Sequence, residues 1–101
     1  MFFASALMAG LTYTCLADTE WRGVHVMAWG SAGGNEGLPA IKRAIDETLV
    51  PLGVNAMIYE VGYNFAFDSH PEMRFDKTIS KEEARDLAQY CKTRGIRLIP
   101  Q

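Results

Sequence analysis

The feature that most constrains this chain is an alternation of short apolar runs with segments of helical spacing. Apolar runs lie at 22–29, 54–61 and 96–99. Short, mostly apolar runs of this kind predict strands buried on both faces, as in a parallel sheet. Between them lie two segments in which apolar residues recur every three or four positions, the spacing of a helix with one buried face. The predicted order is β-α-β-α-β, which implies a parallel sheet with right-handed crossovers.

Local signals place the helices. Pro39 suits the first position of a helix, where its missing N–H costs nothing. Ile41, Ala44, Ile45 and Leu49 then form a stripe, Lys42, Arg43, Asp46 and Glu47 fill the other face, and Pro51 and Gly53 stop the helix. Ser80 followed by Glu83 is a capping box, in which each side chain bonds the other's backbone N–H. Ala84, Leu87, Ala88 and Cys91 form the second buried stripe, and Gly95 is the expected C-cap. Between the second strand and this helix, 62–79 is a long connection with four aromatics, Tyr63, Phe65, Phe67 and Phe75. Connections of that length usually carry function or a small structure of their own.

The first seventeen residues hold no charged side chain, and Phe2, Phe3, Leu7, Met8 and Leu11 make an apolar run short for a membrane span, with a short membrane anchor or a misassigned start as the alternatives to the reading that follows. With small residues at Cys15 and Ala17, 1–17 reads as a secretory signal peptide, although no Lys or Arg precedes the apolar run. The mature chain is then 18–101, secreted or periplasmic, without stable membrane association after cleavage. Ten basic residues are mixed with twelve acidic ones for a net charge of -2, so the clustered basic face that nucleic acid requires is missing. Two cysteines, Cys15 and Cys91, are too few for a disulfide scaffold or a zinc site, and Cys91 reads as a small buried hydrophobe. His25 and His70 have no evident sequence partner. No cofactor and no metal is expected.

The run from Gly30 to Gly37 follows a strand and precedes a helix, where phosphate cradles sit. It lacks both the Gly-x-Gly-x-x-Gly spacing and a Gly-Lys-Ser/Thr, and Glu36 would repel a phosphate. A doubly wound nucleotide-binding domain is therefore the weakest reading.

The segment Ile79, Ser80, Lys81, Glu82, Glu83, then Tyr90, Cys91 and Arg94 to Gln101 resembles family 20 glycoside hydrolases, the β-N-acetylhexosaminidases, and related barrel glycosidases. There a helix opening with Thr or Ser and acidic residues runs through Arg-Gly-Ile into a strand ending Ile-Pro-Glu. Gln101 stands in place of that Glu. Arg22-Gly23 and Leu52-Gly53-Val54-Asn55 are weaker matches, and Met27, Ala28 and Trp29 replace the family's polar residues after the first strand. The resemblance covers 22–101. It implies an α/β fold, the first three strands and two helices of a truncated (β/α)8 TIM barrel, and a glycan substrate. It also implies a catalytic Asp-Glu pair after a fourth strand, beyond this chain, with the substrate's N-acetyl group as nucleophile. No catalytic residue is carried over, and the chain alone is expected to be inactive.

In such barrels the site forms at the C-terminal ends of strands. That rule selects Trp29, Glu60, Tyr63, Asn64, His70 and Gln101 as substrate-binding candidates. Trp29 either stacks on a sugar or packs under the glycine loop. Glu60 ends an apolar strand and needs a partner, a substrate hydroxyl, a structural Arg or a backbone N–H. The aromatics of 62–79 line a cleft or form the loop's own core. The expected function is the N-terminal part of a secreted, hexosaminidase-like glycoside hydrolase. The alternative is a non-catalytic carbohydrate-binding or structural protein, for which Gln101 is a hint.

Overall fold

The computed structural model describes residues 20–27 and 34–101. Strands β1 (Gly23–Met27), β2 (Ala56–Glu60) and β3 (Arg97–Pro100) form one parallel sheet in that spatial order. The register sets His25 opposite Ile58, Met27 opposite Glu60 and Ile58 opposite Ile99. Helix α1 (Leu38–Ala44) links β1 to β2, and helix α2 (Lys81–Lys92) links β2 to β3.

Alternation along the strands sorts the side chains into two unlike faces. Met57 and Tyr59 of β2, with Val24 and Val26 of β1 and Leu98 of β3, join Leu38, Ile41 and Ile45 of the first helical segment and Leu87 and Cys91 of α2 in one core. Ile45, Met57 and Cys91 are wholly enclosed there. Both helices thus lie over one face. The opposite face carries His25, Met27, Ile58, Glu60 and Ile99, and no helix covers it among the described residues. Met27 is 59% exposed, so β1 is not buried on both faces as its apolar run predicts; only the central β2 approaches that.

The barrel expectation is corrected by this arrangement. The described residues form a small open sheet of three strands with two helices, not a closed (β/α)8 barrel. Strand–helix alternation is common to barrels and open sheets. Closure needs a strand complement and a consistent tilt around the ring that three strands cannot supply.

Local chemistry explains the helix boundaries. The Ser80 hydroxyl accepts from the Glu83 backbone N–H at 3.1 Å while the Glu83 carboxylate accepts from the Ser80 N–H at 2.8 Å, so the capping box forms as read. Gly95 takes φ 72° after α2, a left-handed position where a Cβ is costly. The first helix departs from its expected form. After Ala44 it widens into a π-helical turn, Ile45–Leu49, closed by the Val50 N–H donating to Ile45 O at 2.9 Å. Ile45, at the start of this turn, is fully enclosed, whereas Ala44 just before it is exposed and so lies outside the buried stripe.

A polar clamp holds the two helices together at their outer surface. Asp46 accepts from the Tyr90 hydroxyl and from Arg94 Nε, the latter at 2.5 Å. The Arg94 guanidinium lies 3.3 Å from the centre of the Tyr90 ring, and Lys42 approaches the same ring at 5.2 Å. The Tyr90 hydroxyl and then the Arg94 side chain hold the Asp46 carboxyl below its ordinary range. Burial pushes the Cys91 thiol up, so this cysteine is a packing residue and not a reactive one.

The long connection is organised, not loose. Phe65 pairs with Ile79 as an isolated parallel bridge, with the Ile79 N–H donating to Asn64 O at 2.6 Å and the Ala66 N–H to Ile79 O at 3.0 Å. Tyr63 meets Phe75 edge to face at 5.8 Å, and Phe65 meets Phe67 likewise at 4.8 Å. Arg74 donates twice to Phe67 O. The connection docks on Gly34, whose φ of 62° and position 2.3 Å from Lys77 O (measured from where a Cβ would stand) leave no room for a side chain.

Two outcomes follow for stability. Gly34→Ala is expected to cost about 2–4 kcal/mol, combining a left-handed backbone with overpacking against a carbonyl; an unchanged urea midpoint would contradict the Gly34–Lys77 contact. For Asp46 the folded pKa is depressed, so its stabilisation is fully present above the unfolded carboxyl pKa and lost as pH falls through the folded one. The gap in urea midpoint between the parent chain and Asp46→Asn should therefore be widest above about pH 5 and narrow steadily as pH falls below the ordinary carboxyl range.

Candidate functional site

The parallel arrangement gathers the C-terminal ends of all three strands at one edge of the molecule, the edge from which side chains and loops most often build a site in α/β proteins. The register brings Met27, Glu60 and Gln101 into one row across the sheet. Gln101 continues β3 in step, its N–H donating to Tyr59 O at 2.9 Å and its carbonyl accepting from the Val61 N–H at 2.8 Å. By alternation this row belongs to the open face, one step beyond His25, Ile58 and Ile99.

Glu60 is the chemical centre of the row. Its Oε2 lies 3.2 Å from His25 Nε2, with 24% of the Glu60 side chain and 43% of the His25 side chain exposed. Glu60 therefore has a partner, as its place on an apolar strand requires, but the partner is an imidazole from the neighbouring strand. Among the described residues neither an arginine nor a backbone N–H fills that role. The pair is half-open to solvent. It offers a carboxylate that accepts and an imidazole whose second nitrogen is available, a combination suited to fixing hydroxyl or amide groups. Directly behind Glu60, Tyr59 points into the packed face. Its hydroxyl is buried without a partner among the described residues, and burial pushes its pKa up.

The other expected residues divide. Gln101 joins Glu60 in the strand-end row and is exposed. Tyr63 follows Glu60 closely on the short 3-10 turn Gly62–Asn64 and is 47% exposed, with Phe75, 55% exposed, against its edge. These aromatics thus combine both expected roles, pairing within the connection while presenting ring surface to solvent. Asn64 is 8% exposed and its backbone anchors Val61 and Ile79, so it is a support of the connection and not a surface contact. His70 lies further along, paired with Glu72 at 3.1 Å and open to solvent; no interaction joins it to Glu60 or Gln101. Trp29, the segment 1–17 that reads as a signal peptide in the sequence, and most of the glycine-rich run fall outside the described residues. At the described end of that run, Glu36 is paired with Lys77 at 2.6 Å and Gly34 is filled by the Lys77 backbone, so the run serves to dock the connection.

Sequence reasoning missed His25. The signal was present in its parity: His25 lies two residues before Met27 and so shares a face with it. Only the register between β1 and β2 reveals that this face also carries Glu60. Among the described residues no three His, Cys, Asp or Glu side chains converge as metal ligands would, and no helix is long and apolar enough to cross a membrane. Among the described residues Glu60 is the one carboxylate side chain of the strand-end row, whereas glycosidic hydrolysis by the usual route needs two facing carboxyl groups.

No protein-family model matches this chain, and no curated protein matches it.

Proposed function

We propose that the open edge around His25, Glu60 and Gln101 binds a glycan, as the N-terminal part of a hexosaminidase-like glycoside hydrolase whose acidic pair lies outside these 101 residues. The observation that carries this reading is the His25–Glu60 pair, half-exposed on an uncovered sheet face at the strand ends. Carbohydrate sites combine charged or amide groups, which satisfy several hydroxyls, with aromatic faces that stack on sugar C–H surfaces. Glu60, His25 and Gln101 supply the first kind, and the exposed rings of Tyr63 and Phe75 supply the second nearby in the chain. The similarity of 79–101 to the hexosaminidase pattern supports the choice of an amino sugar. A non-catalytic carbohydrate-binding protein is the second reading, favoured by Gln101 where that pattern has a glutamate.

Titrating the full chain with chitobiose and following backbone amide signals by NMR tests the binding claim. Saturable shifts are expected at His25, Glu60 and Gln101, with Glu60→Ala weakening affinity about tenfold, the loss of one charge-assisted hydrogen bond. Shifts elsewhere only, or an unaltered affinity in Glu60→Ala, would exclude this edge as the site. Neither the parent chain nor any variant is expected to hydrolyse a chromogenic N-acetylglucosaminide.

A further inference from the structure

At the opposite, N-terminal edge of the sheet lies a groove of about 680 Å3, within the range of small-ligand sites. Its walls are Trp21 and Arg22 on one side, Lys92 at the end of α2, and Arg97 at the start of β3. Trp21 is 60% exposed. An exposed tryptophan on a chain segment next to a strand is ordinarily mobile, but here the backbone on both sides of it is fixed by one residue. Asn55 Nδ2 donates to Glu20 O at 2.6 Å, and the Arg22 N–H donates to Asn55 Oδ1 at 2.7 Å. Arg22 adds a bond from Nε to Gly53 O at 2.6 Å, and its carbonyl accepts from the Asn55 and Ala56 N–H groups. The backbone that carries the indole is therefore pinned on both sides, while most of the Trp21 surface faces water.

The charges around it are unbalanced. Glu20 is answered by Arg22 at 3.2 Å. Arg97 sits over the Trp21 ring at 4.9 Å, and neither it nor Lys92 has a carboxylate partner among the described residues. An exposed aromatic plate beside two cations that have no carboxylate partner among the described residues is complementary to a ring that is apolar on its face and negatively charged at its rim.

We infer that this groove is a second carbohydrate site, selective for a sugar ring that bears an acidic group, carboxylate or sulfate. The ring stacks on Trp21 and the acid engages Arg97 and Lys92. The choice of a sugar rests on the glycan reading of the strand ends; the preference for an acid rests on this groove alone. Two edges of one small sheet would then hold separate stretches of a glycan, or separate glycans.

The test follows the Trp21 indole N–H signal of the full chain, assigned by its loss in Trp21→Phe, during titration with cellobiouronic acid, cellobiose and inorganic sulfate. A saturable shift is expected with cellobiouronic acid, about tenfold tighter than with cellobiose. That preference should disappear in the Lys92→Gln, Arg97→Gln double variant, whose fold is checked by an unchanged unfolding midpoint. A sulfated disaccharide in place of the uronate distinguishes a general acidic-sugar site from one specific to carboxylate. Equal binding of cellobiose, an equal response to sulfate alone, or no response of Trp21 would each overturn the inference. Because the Glu60 edge is read out by different signals with a neutral amino sugar, failure here leaves that reading standing, and its failure leaves the acid preference separately measurable.

Discussion

Everything in this structure depends on burial of one face of a three-stranded sheet. Ile45, Met57 and Cys91 meet at its centre, one from each of the two helical segments and one from the central strand, and all are fully enclosed. Burying side chains of this size contributes about 1.5–3 kcal/mol each for the larger aliphatic ones, the main favourable term in a domain this small. Hydrogen bonding and ion pairs then add geometry to that burial. The Asp46–Tyr90–Arg94 clamp lies at the exposed rim of the same contact, where it sets how the helices lie together more than how strongly they are held.

One-sided packing has a direct chemical consequence. A strand covered on both faces has no place for a half-exposed carboxylate. With both helices on one side, His25 and Glu60 on adjacent strands can pair at the sheet surface and still reach solvent. The same asymmetry leaves Met27 and the strand-end row accessible. At the opposite edge, the Asn55 side chain performs a comparable service by pinning the backbone on both sides of the exposed Trp21. Function in this chain is thus proposed where the core stops.

Much of the local structure was legible in the sequence because its causes are local. Ser80 with Glu83, Gly95 after α2, and Cys91 within an apolar stripe each announce themselves by spacing, and each stands where that spacing puts it. The position of Glu60 at a strand end was legible for the same reason. Features that depend on register or on tertiary crowding were not. His25 meets Glu60 only because β1 and β2 pair in one register. Gly34 is a glycine because Lys77, distant in sequence, passes over it. The π-helical turn at Ile45–Leu49 departs from the 3.6-residue spacing, so a stripe drawn at that spacing cannot reveal it. The open sheet itself was misread as part of a barrel because alternation of strands and helices specifies parallel pairing but not closure.

The uncovered sheet face is the central claim, and isoleucine δ-methyl signals in the presence of a soluble paramagnetic agent test it most directly. The chain has six isoleucines divided between the two environments: Ile58 and Ile99 on the open face, and Ile41, Ile45, Ile79 and Ile96 in the core. The account predicts strong broadening of Ile58 and Ile99 while Ile45, Ile79 and Ile96 remain sharp. Equal protection of all six would mean that the face bearing His25 and Glu60 is covered in solution, and the proposed site would have no access to a ligand.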